Sequence, residues 1–209
     1  FEFTLKGLKM FTQPLAGAGA VRVVACVVAC VVALFTSAAY AQGERHQHGA
    51  STLEISLEKN TLAIRWESPL NDLIGFEHAP RSAKEKAAAQ NLLSLLDDPS
   101  SAFKPNSEAM CRMVAKSITA PNLSDIQTKH TGDASTHDHD HAVHSDLDYS
   151  VTYHCSSPDA LSQLDIRALT TWPAIKDIDA SLVGPGGQAS QEANQGAKTI
   201  DLKTIAVAR

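Results

Sequence analysis

Apolar and polar residues alternate with a period of two along several stretches of the chain. Leu53, Ile55 and Leu57 alternate with Thr52, Glu54, Ser56 and Glu58. After Lys59-Asn60, Leu62, Ile64 and Trp66 alternate with Thr61, Ala63, Arg65 and Glu67. Residues two apart share one face of a strand, so this pattern predicts a hairpin with one apolar and one wetted face, ended by Ser68-Pro69. Tyr149, Val151, Tyr153 and Cys155 share the inner face of a further strand, which puts His154 on the outer, solvent side. Cys111 to Ile118 reads as a strand with imperfect alternation. Asp165 to Leu169, the run marked by Ile178, Ala180 and Leu182, and the run around Ile200 and Leu202 read as short strands. Gly184-Pro185-Gly186-Gly187 is a break, and Gln188 to Gly196 is polar and expected to be mobile.

A different period appears only once at length. Ser82-Ala83-Lys84-Glu85 is a capping box, and the helix it opens carries Ala88, Ala89, Leu92, Leu93, Leu95 and Leu96 at i, i+3, i+4 and i+7 spacing before Pro99 stops it. Its apolar side needs a sheet to cover. The expected fold is α+β: a single domain with a mainly antiparallel sheet of about five to seven strands packed against this one principal helix. Leu70 to Pro80 reads as a loop too apolar to be simply solvated.

The amino-terminal segment lies outside this pattern. Lys6, Lys9 and Arg22 precede Val23 to Phe35, an uncharged and mostly apolar run, and Ala39-Tyr40-Ala41 follows. A basic region, a short apolar region and small residues at A-x-A spacing together predict a secretory signal peptide over residues 1–41, with 1–9 an over-extended start before Met10. An uncleaved anchor would need about 20 apolar residues. The predicted mature domain is 42–209, long enough for a core of its own. Losing Glu2, Lys6, Lys9 and Arg22 takes the formal charge from −5 to −7. Such an acidic chain repels nucleic-acid phosphates, so no nucleic-acid partner is expected. Cys111 and Cys155 remain. In an exported chain the pair reads as one disulfide, with two buried thiols or a Cys-plus-His zinc site as alternatives.

The candidate chemistry lies in the histidines. Five of the nine, His130, His137, His139, His141 and His144, fall in the polar insertion 121–146, which is almost devoid of apolar residues. A core accommodates histidine singly, whereas a short His-rich tract is a compositional sign of metal binding. An insertion this long is expected to be functional and mobile. His137, His139 and His141 share one side if the segment extends, with His144 or His130 completing a set. His46 and His48 are likewise two apart, just before the first strand and near where the second ends. Glu77-His78 lies beside Pro80, which favours an extended geometry at Ala79. Two kinds of metal site are expected. An ordered one draws on His46, His48 and His78, with Glu77 as ligand or as the group fixing an imidazole; a looser one uses the His-rich loop.

His46-x-His48-Gly49, the hairpin, Ser68-Pro69, Gly75-Phe76-Glu77-His78-Ala79-Pro80-Arg81, the helix, Cys111 and Cys155 around a His-rich loop, and Leu164-Asp165-Ile166-Arg167 together resemble the ZrgA-like bacterial periplasmic proteins. The resemblance covers most of the mature chain, and the G-F-E-H-A-P stretch is its most specific part. It implies a periplasmic protein that binds Zn2+ in support of zinc uptake, with expression linked to zinc shortage and a zinc transporter of the inner or outer membrane as partner. This chain departs from the long His tracts typical of such proteins, because its loop is shorter and has fewer histidines.

Catalysis has little support in the sequence. There is no G-x-S-x-G, no H-E-x-x-H and no glycine-rich phosphate loop. Activity on generic esters or phosphates with zinc present separates a zinc enzyme from a carrier. The alternatives are a binding or storage protein for Ni or Cu, since Cu2+ binds most such sites more tightly in vitro, and a structural or interaction protein with incidental histidines. Metal titration distinguishes the last from a carrier.

Overall fold

The computed structural model describes residues 48–127 and 145–206. The expected signal peptide, His46 and the histidines at 130, 137, 139, 141 and 144 lie outside the described residues.

The hairpin forms as its alternation predicts. β1 (Ala50–Glu58) and β2 (Thr61–Pro69) pair antiparallel with Leu53 opposite Trp66, Ile55 opposite Ile64 and Leu57 opposite Leu62, all buried. The turn places Lys59 in the left-handed region at φ 54°. Pro69 ends β2, and a short helix α1 (Leu70–Ile74) follows where a loop was expected; Gly75, at φ 84°, caps it and returns its N–H to the Asn71 carbonyl. The principal helix α2 (Ala83–Asp97) starts on the anticipated capping box, with the Ser82 hydroxyl accepting from the Glu85 N–H and the Glu85 carboxylate accepting from the Ser82 N–H. Its buried residues are Ala89, Leu92 and Leu96.

Beyond α2 the chain adds β3 (Phe103–Pro105), β4 (Cys111–Thr119), α3 (Ser124–Gln127), β5 (Asp146–Cys155), β6 (Gln163–Ile166), α4 (Ala168–Thr171), β7 (Asp177–Gly184), β8 (Gly187–Asn194) and β9 (Thr199–Asp201). The strands form a six-stranded sheet in the order β4-β5-β2-β1-β7-β8 and a three-stranded sheet β3-β6-β9. All described pairings of named strands are antiparallel except β1 with β7, which is parallel. The α+β class holds, with a mainly antiparallel sheet.

One core joins the two sheets and α2. The Trp66 ring meets Phe103 edge-on at 5.5 Å and lies 5.5 Å from Trp172. Two buried phenols find carbonyl partners, Tyr149 at Leu96 and Tyr153 at Phe103, each at 3.1 Å. The Cys111–Cys155 disulfide forms between directly opposed residues of β4 and β5. Eight residues further along β4, Thr119 pairs with Asp148, so the bridge closes the ladder at the end away from the His-rich insertion.

Three expectations need correction. Gln188 to Gly196 is not a loose segment: most of it is β8, whose register runs from Gly187 against Gly184 to Asn194 against Asp177. Backbone pairing with β7 suffices for an outer strand with few buried side chains, so side-chain alternation does not reveal it. The strand expected over Asp165 to Leu169 ends at Ile166 and gives way to α4. His154 is half-buried rather than solvent-facing, and the Asn60 amide nitrogen lies 2.8 Å from its Nε2.

Candidate metal-binding site

The site gathers where β1 begins and β2 ends. β1 and β2 are antiparallel, so the residues just before Ala50 lie beside those just after Pro69. His48 and Gly49 come from the first side; Asn71 and Asp72 come from α1; Glu77 follows the Gly75 cap. Gly49 adopts φ 87° and its carbonyl accepts from the N–H groups of Lys176 and Asp177, at 2.7 and 3.1 Å. This turn delivers its N–H to Asp72 Oδ2 at 2.6 Å.

His48 Nδ1 stands 4.0 Å from Asp72 Oδ1 and 3.9 Å from Glu77 Oε1. The imidazole is the accessible member, with 59% of its side chain exposed, against 4% for Asp72 and 18% for Glu77. The Asn71 side-chain nitrogen makes a long 3.5 Å contact to the same Nδ1. Asn122 donates its amide to the Glu77 carbonyl, which ties the start of the His-rich insertion to the site. The insertion's other flank is also held here, since the Leu70 N–H donates to the Ser145 carbonyl at 3.1 Å.

His78 has different partners. Its Nδ1 lies 2.9 Å from the Ala79 carbonyl, which can only accept, so Nδ1 carries the hydrogen and Nε2 the lone pair. Nε2 stands 4.0 Å from Glu85 Oε1, and the ring stacks on Phe76 at 5.2 Å. Backbone N–H groups of Ser82 and Arg81 hold the Glu85 carboxyl below the usual range, with a smaller contribution from His78.

The structure therefore brings His48 together with Glu77 and pairs His78 with Glu85. Asp72 joins the first pair without having stood out in the sequence. The available signal was an aspartate inside the apolar run Leu70 to Ile74, where a carboxylate must either face solvent or find donors. Among the described residues, no three His, Cys, Asp or Glu side chains converge closely enough to hold an ion as they stand. The two separations from His48 Nδ1 are a little wide of that: ligand atoms about 2.1 Å from a tetrahedral zinc are roughly 3.4 Å apart.

No curated protein matches the chain. A family model described as "ZrgA family zinc uptake protein" matches residues 45–202, a span that includes His48, Asp72, Glu77, His78, Cys111, Cys155 and the whole His-rich insertion. The chain belongs to the ZrgA family of zinc uptake proteins.

Proposed function

We propose that this protein is exported to the periplasm, captures Zn2+ with histidines and passes it to a zinc transporter of the inner or outer membrane. The ordered site centres on His48 and Glu77, with His46 and His78 as the other candidate imidazoles. The looser site comprises His130, His137, His139, His141 and His144. Ordering a segment to bind an ion costs on the order of 1–2 kcal/mol per backbone residue fixed. The looser site therefore binds more weakly and exchanges faster, which suits capture and hand-over.

One observation carries this reading. Both flanks of the His-rich insertion are bonded to the chain that forms the ordered site, through Asn122 to the Glu77 carbonyl and through Leu70 to Ser145. The two described ends of the insertion thus meet the chain that carries the proposed receiving residues. Calorimetry on three proteins tests the idea. Deleting residues 130–144 should remove weak sites and spare a tight one, while replacing His46, His48 and His78 with Ala should do the reverse. Loss of all binding on deleting the insertion would remove the ordered site from the scheme. Unchanged zinc binding in both proteins would remove the scheme itself.

A further inference from the structure

We propose that Asp72 is a zinc ligand, and that the ordered site consists of His48 Nδ1, Asp72 Oδ1 and Glu77 Oε1 rather than a cluster of imidazoles that includes His78. The inference rests on the zinc-binding reading above and specifies its donor set.

Spacing comes first. Ligand atoms around a tetrahedral zinc are roughly 3.4 Å apart. The imidazole nitrogen is 4.0 Å from one carboxylate oxygen and 3.9 Å from the other. Each distance is too long for a direct hydrogen bond, and about half an ångström of contraction brings each to coordination spacing. His48 is the exposed partner and can make that movement.

Both carboxylate oxygens face the same imidazole nitrogen. The Asn71 amide nitrogen lies 3.5 Å from the same Nδ1. Asp72 is held for this role by two features: its position in α1 and the Gly49 N–H on Oδ2, which leaves Oδ1 turned to the imidazole. A carboxylate this deeply buried is normally paired or bound to a metal.

His78 has other partners than the carboxylates beside His48. Ala79 takes its Nδ1 hydrogen and Glu85 faces its Nε2. A set of one imidazole and two carboxylates neutralises the ion's double charge, leaves the exposed His48 side open for exchange, and disfavours Cu(I), which prefers sulfur donors.

The test uses the isotope-labelled full-length mature chain with one equivalent of Zn2+. Nitrogen and carboxyl-carbon NMR should show His48 Nδ1 and the Asp72 and Glu77 carboxyls responding together, before the nitrogens of His78. Competition against a zinc-binding dye should show Asp72→Asn and Glu77→Gln weakening the first site by at least about tenfold, the smallest loss expected for a group supporting a metal. His78→Gln should cost less. The Asn amide oxygen can still accept from Gly49, so metal-free melting should change little. If the first equivalent moves His78 and leaves the Asp72 carboxyl unmoved, the donor set proposed here is wrong, while zinc capture stands. If no histidine responds to zinc, zinc capture by these residues fails as well.

Discussion

Asp72 Oδ2 accepts the Gly49 N–H at 2.6 Å, and this one contact ties the approach to β1 to the helix that follows β2. The same carboxylate turns its other oxygen to His48. Backbone conformation at Gly49 is therefore coupled to the position of the imidazole one residue before it. Gly49 sits at φ 87°, a region that L side chains rarely adopt, and an added Cβ would lie 3.3 Å from Lys176 Cγ. Gly49→Ala should destabilise the protein by roughly 1–3 kcal/mol and weaken the first zinc site. Chemical denaturation and zinc competition on the same variant measure the two effects.

Removing the disulfide should lower stability without removing zinc binding. Cys111 and Cys155 close a loop across a sequence separation of 44, for which chain entropy gives about 3 to 4 kcal/mol. The bridge joins the ends of β4 and β5 away from the insertion. The Cys111→Ser/Cys155→Ser protein should unfold at lower denaturant and bind its first zinc with little change in affinity.

Acid sensitivity should include a contribution from the start of α2. Backbone N–H groups of Ser82 and Arg81 hold the Glu85 carboxyl below its ordinary value of 4.5. Because the folded value is the lower one, the unfolded chain binds more protons in between. The stabilisation is present above the unfolded value and lost as pH falls through the folded one. Glu85→Gln should flatten the stability profile below about pH 4.5 and leave its slope near neutrality unchanged, as read by denaturant unfolding across pH.

Zinc affinity should fall as pH drops through about 6.5, the ordinary imidazole range, because a histidine ligand must be neutral. Binding should release protons, and calorimetry in buffers of different ionisation enthalpy counts them. An affinity independent of pH between 5.5 and 7.5 would argue that histidine takes no part.

Much of the fold was legible because burial imposes periodicity. The β1–β2 hairpin, the Tyr149-to-Cys155 strand and the capped α2 all carry their pattern in side chains that face the core. β8 was not legible, because an outer strand with few buried side chains is specified mainly by backbone pairing to β7. At the site, His48, Glu77 and His78 stood out by residue type. Asp72 did not, because its significance depends on α1 turning it inward beside a residue 23 positions earlier. The pairing of His78 with Glu85 was hidden for a similar reason: both residues were visible, one as a candidate ligand and the other as a helix cap.

The one parallel pairing in the larger sheet also governs when the site can exist. β1 has β2 on one side, but its other neighbour is β7, and the Gly49 carbonyl is held by Lys176 and Asp177 from far along the chain. Contacts so distant in sequence form late in folding, since a long loop must close before they contribute. The corner that carries His48 is therefore incomplete until Lys176 and Asp177 have docked on Gly49. Without β7 the turn at Gly49 has no anchor, so the zinc loading proposed above would require that docking first.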